Sequence, residues 1–345
     1  MAVTPSPTTP NQSVAVYGAS GHTGGFVVSE LRRRGWTPIL SGRDTEKLNA
    51  VRAEHPGSEV RGASVDAPTS LDRAFSGAVA VINCAGPFID TAAPVMEAAI
   101  RARIHYLDVT AEQPAALAAF ERFADAARNA GIVIAPAMAF YGGLGDLLAT
   151  VAIGDWPAAD EVRVAVALDS WKPTRGTRLT GQRNPGRRLV FSKGRLQHLA
   201  DPPPTRMWRF PAPFGALEVV AFPLTETIAI SRHLPTPEIH AYINLAPLAA
   251  LRDPDTPVPT ATDESGRSDQ LFLMDVIARR GREERRATAR GRDIYAISAP
   301  IVVEAAERVL DGRMERTGAA AAGEIFDARD FLEALSDEHL SVDVP

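Results

Sequence analysis

Short apolar strands alternate with amphipathic helices from residue 13 to about residue 150, and this pattern predicts an α/β fold built on a doubly wound parallel sheet. Beyond Trp156 the segments become β-rich and alternating, which predicts a second α+β domain with a mixed or antiparallel sheet. The chain has 345 residues, 45% of them hydrophobic and 23% charged, and is therefore long enough for two domains with separate cores.

The first domain, predicted over residues 13–150, contains six short apolar runs, which is enough for a complete doubly wound sheet. They are residues 14–17, 38–41, 59–62, 78–83, 105–109 and 131–135. Helical spacing of apolar residues predicts helices that include residues 26–34, 92–103 and 114–130.

The second domain is predicted over residues 151–292, and residues 293–345 are predicted to form C-terminal helices that dock back on the first domain. Its β-rich segments are residues 161–168, 217–222, 227–230, 239–245 and 271–277, with long Pro-rich loops at 201–213 and 247–266. Residues 1–12 are Pro-, Thr- and Ser-rich and are expected to be a disordered tail rather than a signal peptide.

Glycines 18, 21 and 24 join the first predicted strand to the first helix with dinucleotide-binding spacing. Gly18 allows a tight turn, Gly21 lets backbone N–H groups approach a pyrophosphate, and Gly24 lets the helix pack close to the sheet. Ser20, His22 and Thr23 lie in the same turn and are further candidate cofactor contacts, His22 either by packing or by touching a phosphate. The alternative is a tight turn that binds nothing, but the strand–turn–helix context favours a Rossmann-type nucleotide domain.

Arg43 is the residue that selects the cofactor in this interpretation. It follows Ser41 and Gly42 at the end of the second strand, where an NAD site would carry an acid for the ribose 2′-hydroxyl. An arginine there favours the 2′-phosphate of NADP(H). The alternative is a solvated surface charge.

Further motifs follow along the chain. They are V-I-N-C-A-G-P-F at 81–88, H-Y-L-D-V-T-A-E at 105–112, G-G-L-G-D at 142–146, T-R-G-T at 174–177 and E-I-F-D-A-R-D-F-L at 324–332. With G-A-S-G-H-T-G at 18–24 and S-G-R at 41–43, the sequence resembles the saccharopine dehydrogenase-like reductases, which include the bacterial trans-acting enoyl reductases, over residues 13 to about 335. The resemblance implies a two-domain NADP-dependent oxidoreductase with its substrate between the domains. Residues 137–141, A-M-A-F-Y, stand where many members carry Gly-Phe-Asp, which argues against an amino-acid substrate.

Polar and small residues that follow the strands are the remaining candidate cofactor contacts, since ligands bind beyond the carboxyl ends of parallel strands. They are Asp66, Cys84, Ala85, Gly86, Pro87 and Thr110. Asp66 is either an adenine acceptor or a turn residue, and the neighbouring Asp108 could simply hold a loop. Cys84 is the only cysteine, which excludes an internal disulfide and a cysteine metal cluster.

Tyr141 and Lys172 are the predicted catalytic residues, each as the donor of the proton that completes a reduction. Tyr141 could instead be an aromatic wall, and Lys172 a surface lysine. Glu112 and His233 are the next acid candidates, although a lone histidine is more often structural.

Several function classes are excluded or disfavoured. The net charge of −5 and the scattered basic residues speak against nucleic acid, and no apolar run is long enough for a membrane span, so a cytoplasmic location is expected. The sequence has no paired histidines at metal spacing, no phosphate-binding G-x-x-x-x-G-K-[ST] and no Tyr-x-x-x-Lys pair of short-chain reductases.

The sequence therefore predicts an NADPH-dependent oxidoreductase that delivers hydride to a polarised C=C, C=N or C=O bond of a small, apolar or secondary-metabolite substrate. The alternative is a non-catalytic NADP-binding redox sensor. A homodimer is left open, and no metal is expected.

Overall fold

Two β-sheets organise the chain in the computed structural model, which describes residues 12–184, 186–336 and 338–345. The predicted tail at residues 1–12 therefore lies outside the described residues except for Gln12. The strands are β1 (Ser13–Tyr17), β2 (Thr37–Gly42), β3 (Glu59–Gly62), β4 (Ala78–Asn83), β5 (His105–Asp108), β6 (Val133–Ala135), β7 (Glu161–Leu168), β8 (Leu189–Ser192), β9 (Arg195–His198), β10 (Thr205–Arg209), β11 (Ala216–Ala221), β12 (Ile239–Asn244), β13 (Leu271–Arg280), β14 (Glu283–Arg292), β15 (Gly318–Ala319) and β16 (Ser341–Asp343).

The helices pack on and between the sheets. They are α1 (His22–Arg33), α2 (Thr45–Glu54), α3 (Pro68–Phe75), α4 (Phe88–Ala102), α5 (Gln113–Arg122), α6 (Ala124–Ala130), α7 (Gly145–Ile153), α8 (Arg175–Arg183), α9 (Thr225–His233), α10 (Leu245–Arg252), α11 (Ser298–Leu310), α12 (Ala322–Ile325) and α13 (Ala328–Ser336), with a π-helical turn at Phe140–Leu144.

The first sheet is parallel, with strand order β15-β6-β5-β4-β1-β2-β3, and confirms the predicted doubly wound fold. Alternate residues of β1 enter opposite cores: Val14 and Val16 pack into one core, Ala15 and Tyr17 into the other. Both faces are therefore covered, as a parallel sheet requires. The chain reverses direction across the sheet at β1, which pairs with both β2 and β4, and this switch point is where such folds bind ligands.

The second sheet is mixed, as predicted. Its strands run β10-β11-β12-β7-β13-β14-β16, with β8 and β9 paired beside β12. Strands β12 and β7 are parallel, whereas β13 is antiparallel to both β7 and β14.

The C-terminal region contacts both sheets. Helix α11 packs against α1. Strand β15 pairs with β6 of the first sheet, and β16 pairs with β14 of the second. Among the described residues, no helix combines the length and the apolar character needed to cross a bilayer.

Four local predictions are wrong. Residues 227–230 are not a strand but part of α9, because every residue from 225 to 230 is buried and tertiary packing overrides the β preference of Thr and Ile. The predicted loop at 201–213 contains β10, and the loop at 247–266 begins inside α10. The predicted helix at 114–130 is divided into α5 and α6 at Phe123.

Candidate cofactor and substrate site

Packing forces glycine at two positions of the first turn. Gly18 has φ +88°, and its N–H and that of Ala19 donate to the Ser41 carbonyl at 2.8 and 3.2 Å. A Cβ on Gly18 would lie 2.8 Å from the Ala85 nitrogen, and a Cβ on Gly24 would lie 2.2 Å from the Gly18 oxygen. Gly18 and Gly24 therefore have the turning and packing roles that their spacing predicts.

Gly21 borders an open cradle at the N-terminus of α1. A Cβ there would meet only the Gly18 oxygen, at 3.2 Å. In the described residues, no side chain caps this helix end and its first turn carries no acid. A helix N-terminus with free N–H groups suits an anion such as a pyrophosphate. The buried Ser41 hydroxyl, beside this turn, also has no hydrogen-bond partner among the described residues.

The end of β2 presents a cation. Arg43 is exposed and forms no ion pair with any described residue. Burial raises the pKa of the Tyr17 hydroxyl and the Arg43 charge opposes that rise, so the guanidinium lies near the end of β1. Asp66 is exposed and accepts a hydrogen bond from Ser64 Oγ at 3.2 Å, which is compatible with its turn role.

A cavity of about 690 Å³ lies between the two sheets. Of the predicted cofactor contacts, Thr23, Cys84, Gly86 and Thr110 line it. The second domain and the segment before α11 contribute an aromatic wall, made of Trp171, Phe222 and Tyr295. Burial raises the pKa of the Cys84 thiol, so this side chain is an uncharged part of the wall.

The other predicted contacts are not among the residues that line this cavity. Ser20 is exposed next to Gly21, and Pro87 precedes α4. The Ala85 N–H donates to Asn83 Oδ1 at 3.0 Å. The His22 ring packs edge-on against Phe26 and Tyr295, with ring centres 5.2 and 5.5 Å apart, which is the packing alternative of its prediction.

Two acids, one at the end of β5 and one shortly after it, are fully engaged by hydrogen bonds within the protein. The Asp108 carboxylate accepts hydrogen bonds from Ala137 N at 2.8 Å, Thr110 N at 3.0 Å and Tyr106 Oη at 2.7 Å, so it holds two loops together. Burial nevertheless raises the pKa of Asp108 to about 6.

Glu112, the second acid, caps the N-terminus of helix α4. Its carboxylate accepts hydrogen bonds from Phe88 N at 2.7 Å, Ile89 N at 2.9 Å and Thr180 Oγ1 at 3.0 Å. Because both carboxylate oxygens already accept hydrogen bonds from the protein, the structure gives Glu112, one of the alternative proton-donor candidates, a structural role.

Tyr141 lies in the π-helical turn after β6 and lines the cavity, as expected of a residue that follows the sixth strand. Its hydroxyl is buried and has no hydrogen-bond partner among the described residues. Burial raises the pKa of Tyr141 well above its usual value, and the charges of Tyr295 and Glu226 add to the rise. The hydroxyl is therefore protonated at neutral pH, and no described residue accepts its hydrogen.

Lys172 does not reach this cavity. It lines a separate pocket of about 10 Å³ with Ser268, Asp269 and Gln270, on the far side of Tyr295. Its placement therefore does not support the proton-donor role predicted for it.

His233 is also remote. Its Nε2 lies 2.7 Å from Asp146 Oδ1, and Asp146 Oδ2 accepts the Gly323 N–H at 2.8 Å. Burial opposes protonation of His233, but the Asp146 carboxylate outweighs it and raises the pKa overall. This pair ties α7, α9 and α12 together, which is the structural alternative.

Two cavity-lining residues, Arg188 and Tyr295, and the buried Glu226 escaped prediction. Tyr295 Oη accepts from Trp171 Nε1 at 2.9 Å and contacts Thr177 Oγ1 at 3.0 Å, so it fixes the aromatic wall. Glu226 is buried behind the cavity, and its Oε2 has no partner among the described residues. Neither Arg188 nor Glu226 lies in a recognisable motif.

Comparison with known proteins agrees with this geometry. Residues 14–134 match the family model of the saccharopine dehydrogenase NADP binding domain. Residues 14–134 are therefore similar to the NADP binding domain of this family. The match bears out the predicted resemblance and supports NADP(H) as the cofactor.

Curated relatives match part of the chain. A probable mitochondrial saccharopine dehydrogenase-like oxidoreductase of Arabidopsis thaliana is 30% identical over 146 residues, which cover 38% of this chain and 32% of that protein. A saccharopine dehydrogenase-like oxidoreductase of Homo sapiens is 33% identical over 117 residues, covering 29% of this chain and 27% of that protein. The chain thus spans about a third of the length of the curated relatives that it matches.

A solved structure shares the whole fold. Apo saccharopine dehydrogenase (L-Glu forming) from Saccharomyces cerevisiae superimposes with a TM-score of 0.66 over 97% of this chain and 100% of that one, at 12% sequence identity. The two-sheet architecture of this chain is therefore that of saccharopine dehydrogenase.

Proposed function

We propose that this chain is an NADP(H)-dependent oxidoreductase whose substrate binds in the cavity between the two sheets. The observation that carries the proposal is that one cavity is lined both by first-domain residues at the strand ends, Cys84, Gly86, Thr110 and Tyr141, and by the aromatic wall that contains Trp171 and Phe222 of the second domain. A ligand in this cavity would lie at the ligand-binding edge of a doubly wound sheet.

Residues of the first domain would hold the cofactor. The turn at Gly21 and the N-terminus of α1 would bind the pyrophosphate, and Arg43 the 2′-phosphate. Thr110 and Gly86 would border the nicotinamide. When bound, the nicotinamide exchanges a hydride with the substrate.

Tyr141 is the proton donor in this proposal. Addition of hydride to a C=C, C=N or C=O bond leaves negative charge on the neighbouring atom, and a positioned acid stabilises that charge as it develops. The Tyr141 hydroxyl is protonated, shielded from bulk water and without a competing partner in the described residues, so nothing in the protein must be broken before it donates.

The cavity wall supports an apolar substrate body, because Trp171, Phe222 and Leu251 line it. Which of the three double bonds is reduced, and whether the substrate belongs to enoyl reduction or secondary metabolism, stay predictions, as do a cytoplasmic location and a homodimer. A cavity of about 690 Å³ with an unpartnered hydroxyl favours an enzyme over a redox sensor, since a sensor needs no space beside its nucleotide.

A reductase assay tests the proposal. Purified protein is incubated with NADPH and a panel of enones, imines and ketones, and the loss of absorbance at the nicotinamide band is followed. Turnover of at least one class, abolished with Gly21→Val, is the expected result. Tight NADPH binding by calorimetry without turnover of any compound would favour the sensor.

A further inference from the structure

Arg188 lies in the cavity wall, and the described part of the chain supplies no counter-ion to it. The side chain is half-buried, and its guanidinium carbon stands 3.8 Å from the centre of the Phe222 ring. Its Nε is buried and has no hydrogen-bond partner among the described residues, and no described carboxylate forms an ion pair with it. Burial lowers the pKa of Arg188, which shows that the charge is partly desolvated.

The neighbours of Arg188 do not neutralise it. Arg252 lines the same cavity, is exposed and adds a second positive charge beside it. Arg178 is already bonded to the carbonyl oxygens of Asp253 and Thr256. Glu226 acts on Arg188 only from beyond ion-pair distance, and burial raises the pKa of Glu226 to about 7. A partly desolvated cation with no partner is costly, so its natural complement is an anionic ligand.

The cofactor phosphates do not supply this anion in the proposed arrangement. The cradle at Gly21 and the cation at Arg43 belong to the first domain. Arg188 instead stands beside Phe222 and Tyr141, where the substrate would lie.

The same wall offers nothing to an ammonium group. Glu112 is the acid that lines the cavity among the described residues. Both of its oxygens are already used by Phe88 N, Ile89 N and Thr180 Oγ1. An amino acid would therefore bury its ammonium group without a carboxylate partner.

We propose that Arg188, assisted by Arg252, binds an oxyanion group of the substrate, a carboxylate or a phosphate, and that this substrate is an apolar acid without an ammonium group. The planar guanidinium, whose carbon stands 3.8 Å from the centre of the Phe222 ring, can donate two parallel hydrogen bonds to such a group. The inference rests on the proposed function only in naming the ligand as the substrate of that cavity.

Calorimetric titration tests it with four matched probes: 3-phenylpropanoate, 3-phenylpropanamide, 3-phenylpropyl phosphate and L-phenylalanine. Each is titrated into the protein with and without saturating NADP⁺. We expect 3-phenylpropanoate or the phosphate to bind about 10- to 100-fold more tightly than the amide, and Arg188→Gln to remove that difference. The better of the two anions identifies the oxyanion. L-Phenylalanine should bind no better than the amide.

Arg187→Gln is the matched control, because Arg187 is exposed, bonds the Leu199 carbonyl and lies outside the cavity wall. It should keep the anion preference. Arg188→Lys keeps the charge but not the planar fork and should therefore keep part of the preference for the anions over the amide. Thermal melting shows that each variant is folded. Equal binding of anion and amide, no binding of either anion below about 10 mM, or equally tight binding of L-phenylalanine would overturn the inference.

These results are separable from the proposed function, because the titrations require binding and not turnover. A sensor with no reductase activity would still show the anion preference. An active reductase of neutral ketones without this preference would overturn only the role of Arg188.

Discussion

Thr180 Oγ1 donates a hydrogen bond of 3.0 Å to Glu112 Oε1, and this bond joins α8 of the second domain to the N-terminus of α4 in the first. Helix α8 buries none of its own residues and borders the cavity through Gly176, Thr177 and Thr180. Two contacts with the first domain hold α8 in place: this hydrogen bond and the ion pair between Arg183 and Asp90 at 2.9 Å. The Glu112 carboxylate thus links two elements of the cavity wall, and the structure gives it no role as a proton donor.

The contact between Gly24 and Gly18 predicts a large difference between two adjacent substitutions. In Gly24→Ala the new Cβ would meet the Gly18 oxygen at 2.2 Å, so the backbone must shift, and we expect a loss of about 1–3 kcal/mol in the free energy of unfolding. In Gly25→Ala the new Cβ meets nothing within 4 Å, and helix propensity should add about 0.5–1 kcal/mol. Urea unfolding without cofactor measures both. Equal effects would show that the turn relaxes freely.

Arg43 predicts cofactor preference. Arg43→Ala removes the cation that would meet the 2′-phosphate, and we expect NADPH to bind about 10- to 100-fold more weakly while NADH binding is nearly unchanged. Lys47→Ala is the control, since Lys47 is exposed nearby and already paired with Asp44 at 2.8 Å. Parallel losses for NADPH and NADH would remove the assignment of Arg43 to the phosphate.

The first domain was predictable because its signals are local. The turn at Gly18 to Gly24 and the apolar strands fix the sheet within short stretches of chain, and the parallel sheet follows. The second domain was less predictable. The Thr and Ile residues of α9 favour a strand, but the residues packed around this segment decide that it is a helix. Arg188 depends on stacking over Phe222, 34 positions later, which no local pattern reveals. Lys172 was placed in the correct segment but on the wrong side of Tyr295.

Substitution of Tyr141 tests the proposed proton donor, and substitution of Lys172, which lies outside the cavity, is its control. Tyr141→Phe should lower kcat by about 100- to 10,000-fold, with the NADPH dissociation constant within about twofold, because it removes a proton donor that touches no phosphate in the proposed arrangement. Stability should not fall, since the lost hydroxyl has no hydrogen bond to a described residue. Lys172→Met should leave kcat unchanged because Lys172 lies outside the cavity. A wild-type rate in Tyr141→Phe would return the search to solvent or another donor.

Glu226 predicts a pH dependence of stability. Burial raises its pKa from 4.5 to about 7 in the folded protein, so between these values the folded state binds more protons than the unfolded state. The free energy of unfolding contributed by this group therefore falls as the pH rises from about 4.5 to about 7, and stays low above it. The glutamine of Glu226→Gln cannot ionise, so this variant should not show the decrease in the free energy of unfolding. The decrease amounts to a few kcal/mol at most.

Urea unfolding at pH 5 and pH 8 measures the effect as a difference between proteins. Asp108 also has a raised pKa, but it is present in both proteins, so its contribution cancels. At pH 8 Glu226→Gln should be more stable than the wild type, whereas at pH 5 the two should be similar, because a protonated carboxyl and an amide are both neutral. The exposed Glu218→Gln should follow the wild type at both pH values. If the wild type and Glu226→Gln lose the same stability between pH 5 and pH 8, Glu226 is ionised throughout, and Arg188 already has a counter-charge in the protein.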